Sequence, residues 1–304
     1  MELRNLRTFI RAAELNSFSQ AAAQLGYAQS TVTAQIDALE QELCVQLFTR
    51  SGRRIRLSTA GADLLQYAYQ MRTLEDQVSG HFSKDSDPAG FLHIGILESI
   101  SASPYITMIS RFLQRYPQVE MKVTIATTLQ LMEMLRKGGL DLILLFDQPI
   151  HDPNFRKLYF KKAPVLFFAA PNHHLFHRSS IRLADLADET WLLTEKGCNY
   201  RKLLEDEIAR RGLYLRDRLE IGSTRAMIDF TAAGLGISLL PAFDLEQALT
   251  GGSVRELPLA DYSMEMELQL LITKDRWLSP VIETFCTETA ELLHLQQIPS
   301  KKGR

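Results

Sequence analysis

Gln29-Ser30-Thr31-Val32-Thr33-Ala34-Gln35-Ile36-Asp37-Ala38-Leu39-Glu40-Gln41-Glu42-Leu43 decides how the N-terminal region is read. Val32, Ile36, Leu39 and Leu43 recur at helical spacing and mark one apolar side. The other side offers Gln29, Ser30, Thr31, Thr33 and Gln35, a row rich in hydrogen-bonding groups. Upstream, Leu3, Leu6, Phe9, Ile10 and Ala13 predict a first helix, which Asn16-Ser17-Phe18 interrupts. Ser19 is placed to cap a short helix through Leu25, whose small face is Ala21, Ala22 and Ala23. Gly26 follows where a left-handed cap residue is expected. Helix, tight turn and helix with a polar leading face is how a helix-turn-helix offers a recognition helix to the major groove. Taken alone, the pattern also fits a plain helical hairpin with a solvated face. Downstream, Leu47-Phe48-Thr49-Arg50-Ser51-Gly52-Arg53-Arg54-Ile55-Arg56-Leu57 reads as a two-stranded wing. Its arginines are placed to neutralise phosphates.

The chain has 304 residues, room for two or three domains. At 46% hydrophobic and 23% charged residues, its composition excludes wholesale disorder. A net charge of −2 argues against a nucleic-acid partner only until it is divided by region. Residues 1–58 hold seven arginines against five acids, and four of those arginines fall between Arg50 and Arg56. The acidic excess belongs to the remainder. Cys44, Cys198 and Cys286 are few and scattered, which fits a reducing compartment. No signal-peptide core opens the chain, and no run of about 18 apolar residues occurs. A cytoplasmic protein without a membrane partner is expected. There is no GxSxG elbow, P-loop or HExxH, so neither an enzyme nor a cofactor is expected. Gly234-Leu235-Gly236 ends a helix and begins a strand, the reverse of the dinucleotide fingerprint.

Texture changes near residue 88. Thr59 is placed to cap a long helix to about Phe82, with Leu64, Leu65, Ala68, Met71, Leu74 and Val78 as its apolar stripe. Such a stripe needs a partner, either a second subunit's copy or the C-terminal domain of its own chain. The stretch from Ser83 to Gly90 has linker composition. Beyond it, strands (91–97, 119–126, 140–146, 165–170, 191–194, 219–222, 236–240 and 268–273) alternate with helices (104–115, 129–137, 200–211, 224–233, 242–249 and 280–293). This alternation predicts a mostly parallel sheet in two small α/β lobes. The tail from Ser300 to Arg304 is expected to fray.

Four strand-to-helix junctions carry hydroxyl or amide groups: Glu98 to Ser103, Ala126-Thr127-Thr128, Gly197-Cys198-Asn199-Tyr200-Arg201 and Gly222-Ser223-Thr224-Arg225. Any one reads as simple N-capping. Ligands in α/β folds lie beyond the carboxyl ends of strands, and helix N-termini favour anions. Were a fold to bring all four to one cleft, they would suit a small ligand bearing a carboxylate. His173, His174 and His177 lack acidic neighbours in sequence, so no metal site is expected. A helix N-terminus and Arg201 could lower the pKa of Cys198.

The chain resembles the LysR-type transcriptional regulators. The resemblance is carried by Leu6-Arg7-Thr8-Phe9, Ser17-Phe18-Ser19-Gln20-Ala21-Ala22, Gln29 to Ile36, Leu39-Glu40, Leu47-Phe48-Thr49-Arg50 and Leu57-Ser58-Thr59-Ala60-Gly61, and it covers nearly the whole chain. It implies a winged helix-turn-helix over 1–58 and a linker and dimerisation helix over 59–87. It also implies a two-lobed effector domain over 88–304, similar to the type 2 periplasmic-binding-protein fold. Lobe I would hold about 88–160 and 264–304, and lobe II about 161–263. On this resemblance Gln29, Ser30, Thr31, Thr33 and Gln35 face DNA bases or phosphates, and Arg50, Arg53 and Arg54 hold the backbone. Ser99, Ser101, Thr127, Thr128, Cys198, Asn199 and Thr224 line the effector cleft. Double-stranded promoter DNA, RNA polymerase and further copies of the chain, as dimer or homotetramer, are the implied partners. Two departures stand out: Ala28 replaces the family's usual capping Ser, and Ala34 its common Arg. Peroxide sensors of the family pair a cysteine near position 198 with a second one downstream. Arg201 to Leu215 contains none, so Cys198 reads as a pocket-lining thiol.

Overall fold

A computed structural model describes residues 1–51, 54–82, 88–101 and 104–297. Three helices open the chain: α1 (Leu3–Leu15), α2 (Phe18–Leu25) and α3 (Gln29–Leu43). They end as their sequences dictate, with Asn16 (φ 48°) and Gly26 (φ 69°) in the left-handed region. The cap of α2 is Ser17 rather than the expected Ser19, which lies inside the helix; Ser17 Oγ accepts the Gln20 N–H at 3.3 Å. Ala28 makes no capping bond to α3. An antiparallel wing follows, β1 (Phe48–Ser51) with β2 (Arg54–Leu57), in which Phe48 faces Leu57. Its tip, with the sequence-predicted Arg53, lies outside the described residues. Glu40 on α3 braces the wing by accepting the Leu47 N–H at 2.7 Å and the Phe48 N–H at 3.2 Å. Phe9 and Phe18 meet the Phe48 ring edge to face, within a core shared by Leu6, Ile10, Val32, Ile36 and Leu39.

The long helix α4 spans Thr59–Phe82. Ser58, not Thr59, caps it: Ser58 Oγ accepts the Gly61 N–H at 2.9 Å. Only part of its length is covered by the chain itself. Ala68 and Tyr69 are buried against the chain's own domains. Tyr67, Leu74 and Val78 stay open at 58–60% exposure.

The remainder builds one eight-stranded sheet and a small two-stranded one. In chain order the elements are β3 (Gly90–Ile96), α5 (Glu98–Ser101), α6 (Pro104–Arg115), β4 (Val119–Ile125), α7 (Thr128–Arg136), β5 (Leu142–Asp147) and β6 (Phe155–Ala169). Then come β7 (Thr190–Leu193), α8 (Asn199–Arg210), β8 (Arg216–Glu220), α9 (Thr224–Ala232), β9 (Ser238–Pro241), α10 (Ala242–Thr250), β10 (Arg255–Glu256), β11 (Met264–Thr273), α11 (Pro280–Leu293) and β12 (Gln296–Gln297). The large sheet runs β10-β6-β11-β5-β3-β4, with β9 and β12 also on β6.

The expected mostly parallel sheet is corrected here. β3 pairs with β4 and β5, and β7 with β8, in parallel, but every pairing of β6 and β11 is antiparallel. The reason is connectivity. The chain leaves lobe I along β6 and returns along β11, so these two strands run against each other through both lobes. In lobe I they continue the β5-β3-β4 sheet, and in lobe II β6 pairs with β9 and β10.

Gly61 shows how tightly α4 is seated. A Cβ there would lie 2.1 Å from the Leu47 carbonyl oxygen and 2.9 Å from Leu57. Gly61→Ala is therefore expected to destabilise the N-terminal domain by about 1–3 kcal/mol. Thermal unfolding followed by circular dichroism checks this, and an unchanged first transition would contradict the packing.

Candidate DNA-binding face and effector cleft

On α3 the side chains of Gln29, Ser30 and Thr31 are exposed, and those of Thr33 and Gln35 half-buried. The Thr33 hydroxyl donates to the Gln29 carbonyl at 3.1 Å. Gln35 turns inward, where its Oε1 accepts the buried Thr8 hydroxyl at 2.6 Å and ties α3 to α1. The leading end of α3 is thus open and polar while the middle of the helix is fixed from behind. Arg50 and Arg54 face one another's strand across the wing, Arg50 opposite Ile55 and Arg54 opposite Ser51. Their side chains lie outside the described residues.

Between the lobes is a cavity of about 380 Å³. Ser99, Thr127, Thr128, Cys198, Asn199 and Thr224 all line it. The side chain of Ser101 lies outside the described residues. Helices α7, α8 and α9 start at the cavity wall. Thr127 caps α7 in a reciprocal box with Gln130, and Ser223 caps α9. Cys198 holds the capping position of α8 without a capping bond. Leu97, Ile125, Ala126 and Phe146 supply an apolar wall, and Glu195 and Lys196 stand at its rim, both exposed.

Asp147, at the end of β5, escaped the sequence reading. Its Oδ2 accepts the Thr128 hydroxyl at 2.9 Å and Asn199 Nδ2 at 2.6 Å. Asn199 Nδ2 also lies 2.9 Å from Thr128 Oγ1. Asn199 belongs to lobe II and the other two to lobe I, so the triad spans the cleft. Burial pushes the Asp147 carboxyl above its usual value, and the Thr128 and Gln148 hydrogen bonds offset this only in part. A polar residue directly after the apolar run Leu142–Phe146 was the available signal.

Two family models match the chain. The bacterial regulatory helix-turn-helix protein, lysR family, matches residues 3–62, and the LysR substrate binding domain matches residues 85–293. The chain belongs to the LysR family of bacterial transcriptional regulators. It is a DNA-binding regulator with an effector-binding domain, and not an enzyme. The uncharacterized HTH-type regulator YwqM of Bacillus subtilis (strain 168) is 34% identical over 94% of this chain and 97% of its own length. YusT of the same organism is 32% identical over 94% of each chain. Among solved structures, a full-length cysteine-to-aspartate variant of OxyR from Pseudomonas aeruginosa superposes with a TM-score of 0.73 at 21% identity, covering 95% of both chains. CbnR complexed with its target DNA gives 0.66 at 20% identity, covering 96% of this chain and 99% of that one. The effector-binding domain of QuiR in complex with shikimate gives 0.54 at 18% identity, over 67% of this chain and 97% of that one.

Two other sequence expectations for this LysR-family regulator need revision. Arg201 does not activate Cys198. Its buried guanidinium donates to Glu205 at 2.7 Å, to Glu220 at 3.0 Å and to the Thr194 carbonyl. Burial instead pushes the Cys198 thiol up, and the nearby polar groups of Thr194, Tyr200 and the start of α8 offset this only in part. The histidine run does have an acidic neighbour: Glu189 approaches His173 Nε2 at 3.6 Å and His174 Nε2 at 2.9 Å. His173 Nδ1 accepts the Leu175 N–H at 3.4 Å, which leaves the ring proton on Nε2, aimed at Glu189. His173, His174 and Glu189 thus bring three possible ligand atoms within 4.8 Å of one another, which the sequence spacing alone did not show. No helix among the described residues is long and apolar enough to cross a membrane.

Iodoacetamide labelling at pH 8, read by peptide mass spectrometry, separates the cysteines. Exposed Cys44 is expected to react at least about tenfold faster than Cys198, whose thiolate is suppressed by burial. Equal rates would contradict the inert-thiol assignment.

Proposed function

We propose that this regulator binds promoter DNA through residues 1–58 and is switched by a small carboxylate-bearing effector in the cleft of residues 88–304. The observation that carries the effector reading is the meeting of the α7, α8 and α9 N-termini, from both lobes, on one cavity. Backbone N–H groups and helix dipoles there favour an anion, and the apolar wall accepts its carbon frame. Shikimate, bound by the QuiR effector domain, is itself a carboxylate. Ser99, Ser101, Thr127, Thr128, Cys198, Asn199 and Thr224 are the proposed effector contacts. Thr128 on lobe I and Asn199 on lobe II let one ligand bridge the lobes, so binding shifts the population toward one lobe arrangement.

Gln29, Ser30, Thr31 and Thr33 are the proposed base-facing set, with the inward-turned Gln35 holding α3 against α1 in place of the DNA contact expected of it, and Arg50, Arg53 and Arg54 are the phosphate set. The linker helix over 59–87 is proposed to pair with a second copy through Tyr67, Leu74 and Val78, which share one exposed face. A dimer, or a tetramer of two such pairs, places two or more reading heads on a partly palindromic promoter in the cytoplasm, where RNA polymerase responds to the changed DNA geometry.

Calorimetry with benzoate, succinate and shikimate against their amides tests the effector class: the acids are expected to bind and the amides not. Binding by amides alone would sink the reading. In gel shifts against the gene's own upstream region, Arg50→Ala is expected to weaken binding to all DNA alike. It should also reduce the salt slope by about 1. Thr33→Ala should penalise the preferred site more than random DNA.

A further inference from the structure

Asp147 is a half-buried carboxylate directly behind the wall of the effector cavity, bonded to two of its lining residues, Thr128 and Asn199, and it faces no cation among the described residues. Its bonded partners, Thr128, Asn199 and the Gln148 N–H, are all neutral. From behind, Gln269 on β11 is also neutral and donates to the Asp147 and Gln148 carbonyls at 3.4 and 2.9 Å. Among the described residues no ion pair reaches Asp147. Lys196 is the one cation among the described residues of the cavity wall, and it stands at the exposed rim with Glu195. A carboxylate held partly out of water without a counter-charge is costly, and a ligand cation would relieve it. The same cavity has three helix N-termini suited to a carboxylate and an apolar wall of Leu97, Ile125 and Phe146.

We propose that Asp147 is a specificity-determining residue that receives the effector's ammonium group, so that the effector is an amino acid with an apolar side chain. Its carboxylate lies against the N-termini of α8 and α9. Its ammonium meets Asp147 where Thr128 and Asn199 already fix the acceptor oxygen, and its side chain covers the apolar wall. This rests on the carboxylate reading of the cleft and adds a second charged group to it.

The pH dependence has a defined sign. An ammonium pairs with the ionised form of Asp147, so bound ligand lowers that carboxyl's pKa. Affinity therefore falls as pH drops and Asp147 takes up a proton. Glu195, Lys196, Cys198 and Tyr200 are the other titratable groups around the cavity. Asp147→Asn keeps an acceptor for Thr128 and Asn199 but removes the charge, and so isolates the contribution of Asp147.

The test uses the full-length protein and calorimetry with the standard L-amino acids. Their deaminated acids, 4-methylpentanoate for leucine and 3-phenylpropanoate for phenylalanine, serve as references. An apolar amino acid is expected to bind at least about tenfold tighter than its deaminated acid. Asp147→Asn should abolish that preference and flatten the pH profile, while Asp147→Glu should retain the preference. Retained DNA binding by both variants reports an intact fold. Equal binding of the deaminated acids, an unchanged preference in Asp147→Asn, or no amino acid bound at all would overturn the assignment. Deaminated acids that bind while amino acids do not would leave the carboxylate reading standing and remove only the role of Asp147. Binding of leucine and phenylalanine amides as tightly as the free amino acids, still dependent on Asp147, would do the reverse.

Discussion

The cleft exists because two strands run antiparallel through both lobes. β6 and β11 are paired from Phe155 opposite Thr273 to Val165 opposite Met264, with one irregularity at Leu270/Leu271. Each lobe is assembled on a different stretch of this ribbon. The ribbon is held by buried polar contacts as well as apolar ones. Lys157 and Glu267 pair at 2.6 Å with side chains only 14% and 10% exposed. Gln269, fully buried, accepts the Ile150 N–H at 2.9 Å and donates to the carbonyls of residues 147 and 148. Losing one member of such a buried set strands the others, so the connection between β5 and β6 is defined rather than loose. That definition places Asp147 behind the cleft wall, against Thr128 and Asn199.

The lobe that carries Asp147 and Thr128 also touches the DNA-binding part of the chain. Tyr69 on α4 donates to Glu14 on α1 at 2.9 Å, and its ring stacks parallel to Phe91 on β3 at 6.3 Å. Lys122 on β4 sits 4.6 Å from the centre of that ring, and Arg11 reaches Glu120 at 3.1 Å. Thr73 donates to Asp141, the buried acid that also accepts the His93 N–H and pairs with Arg276. β4 ends where α7 and the cavity begin, and β5 runs from near Asp141 to Asp147. A change at the cavity thus shares two strands with the linker contact. Spatial continuity of this kind shows where coupling could be carried, while its size depends on how differently two arrangements bind the effector.

The N-terminal half was legible because its signals are local. Helical periodicity, Gly26 and the break at Asn16 each act within a few residues, and the helix limits follow from them. The errors there were of one or two positions, Ser17 for Ser19 and Ser58 for Thr59, where neighbouring hydroxyls compete for one cap. The first ten residues of β6 were missed for a different reason. Arg156, Lys157, Lys161, Lys162 and Pro164 look unlike a strand interior. Their compensation lies on β11, where Glu267 faces Lys157 and Glu265 meets Lys162 at 2.8 Å, more than a hundred residues away. The cleft was half legible. Junction residues announce themselves by type, but the Asp147–Asn199 bond joins positions 52 apart, and Glu189 reaches the histidines only through the tertiary fold.

The charge distribution sets how this architecture can regulate. Seven arginines against five acids in residues 1–58 give one reading head only a small excess of positive charge. Three of those arginines are already committed, Arg4 to Glu2, Arg7 to Glu75 and Arg11 to Glu14 and Glu120. On the proposed contacts, the wing arginines would carry most of the phosphate contact and a single head would release few counterions. In the proposed dimer or tetramer, affinity would come from joining heads, where the second contact is made at high effective concentration and is lost if the geometry does not fit. On that proposal, a weak head is what would make the regulator sensitive to its effector. When binding depends on two heads meeting two half-sites together, a modest change in their separation removes the joint contact. A strongly basic head would hold DNA alone and be indifferent to the lobes above it.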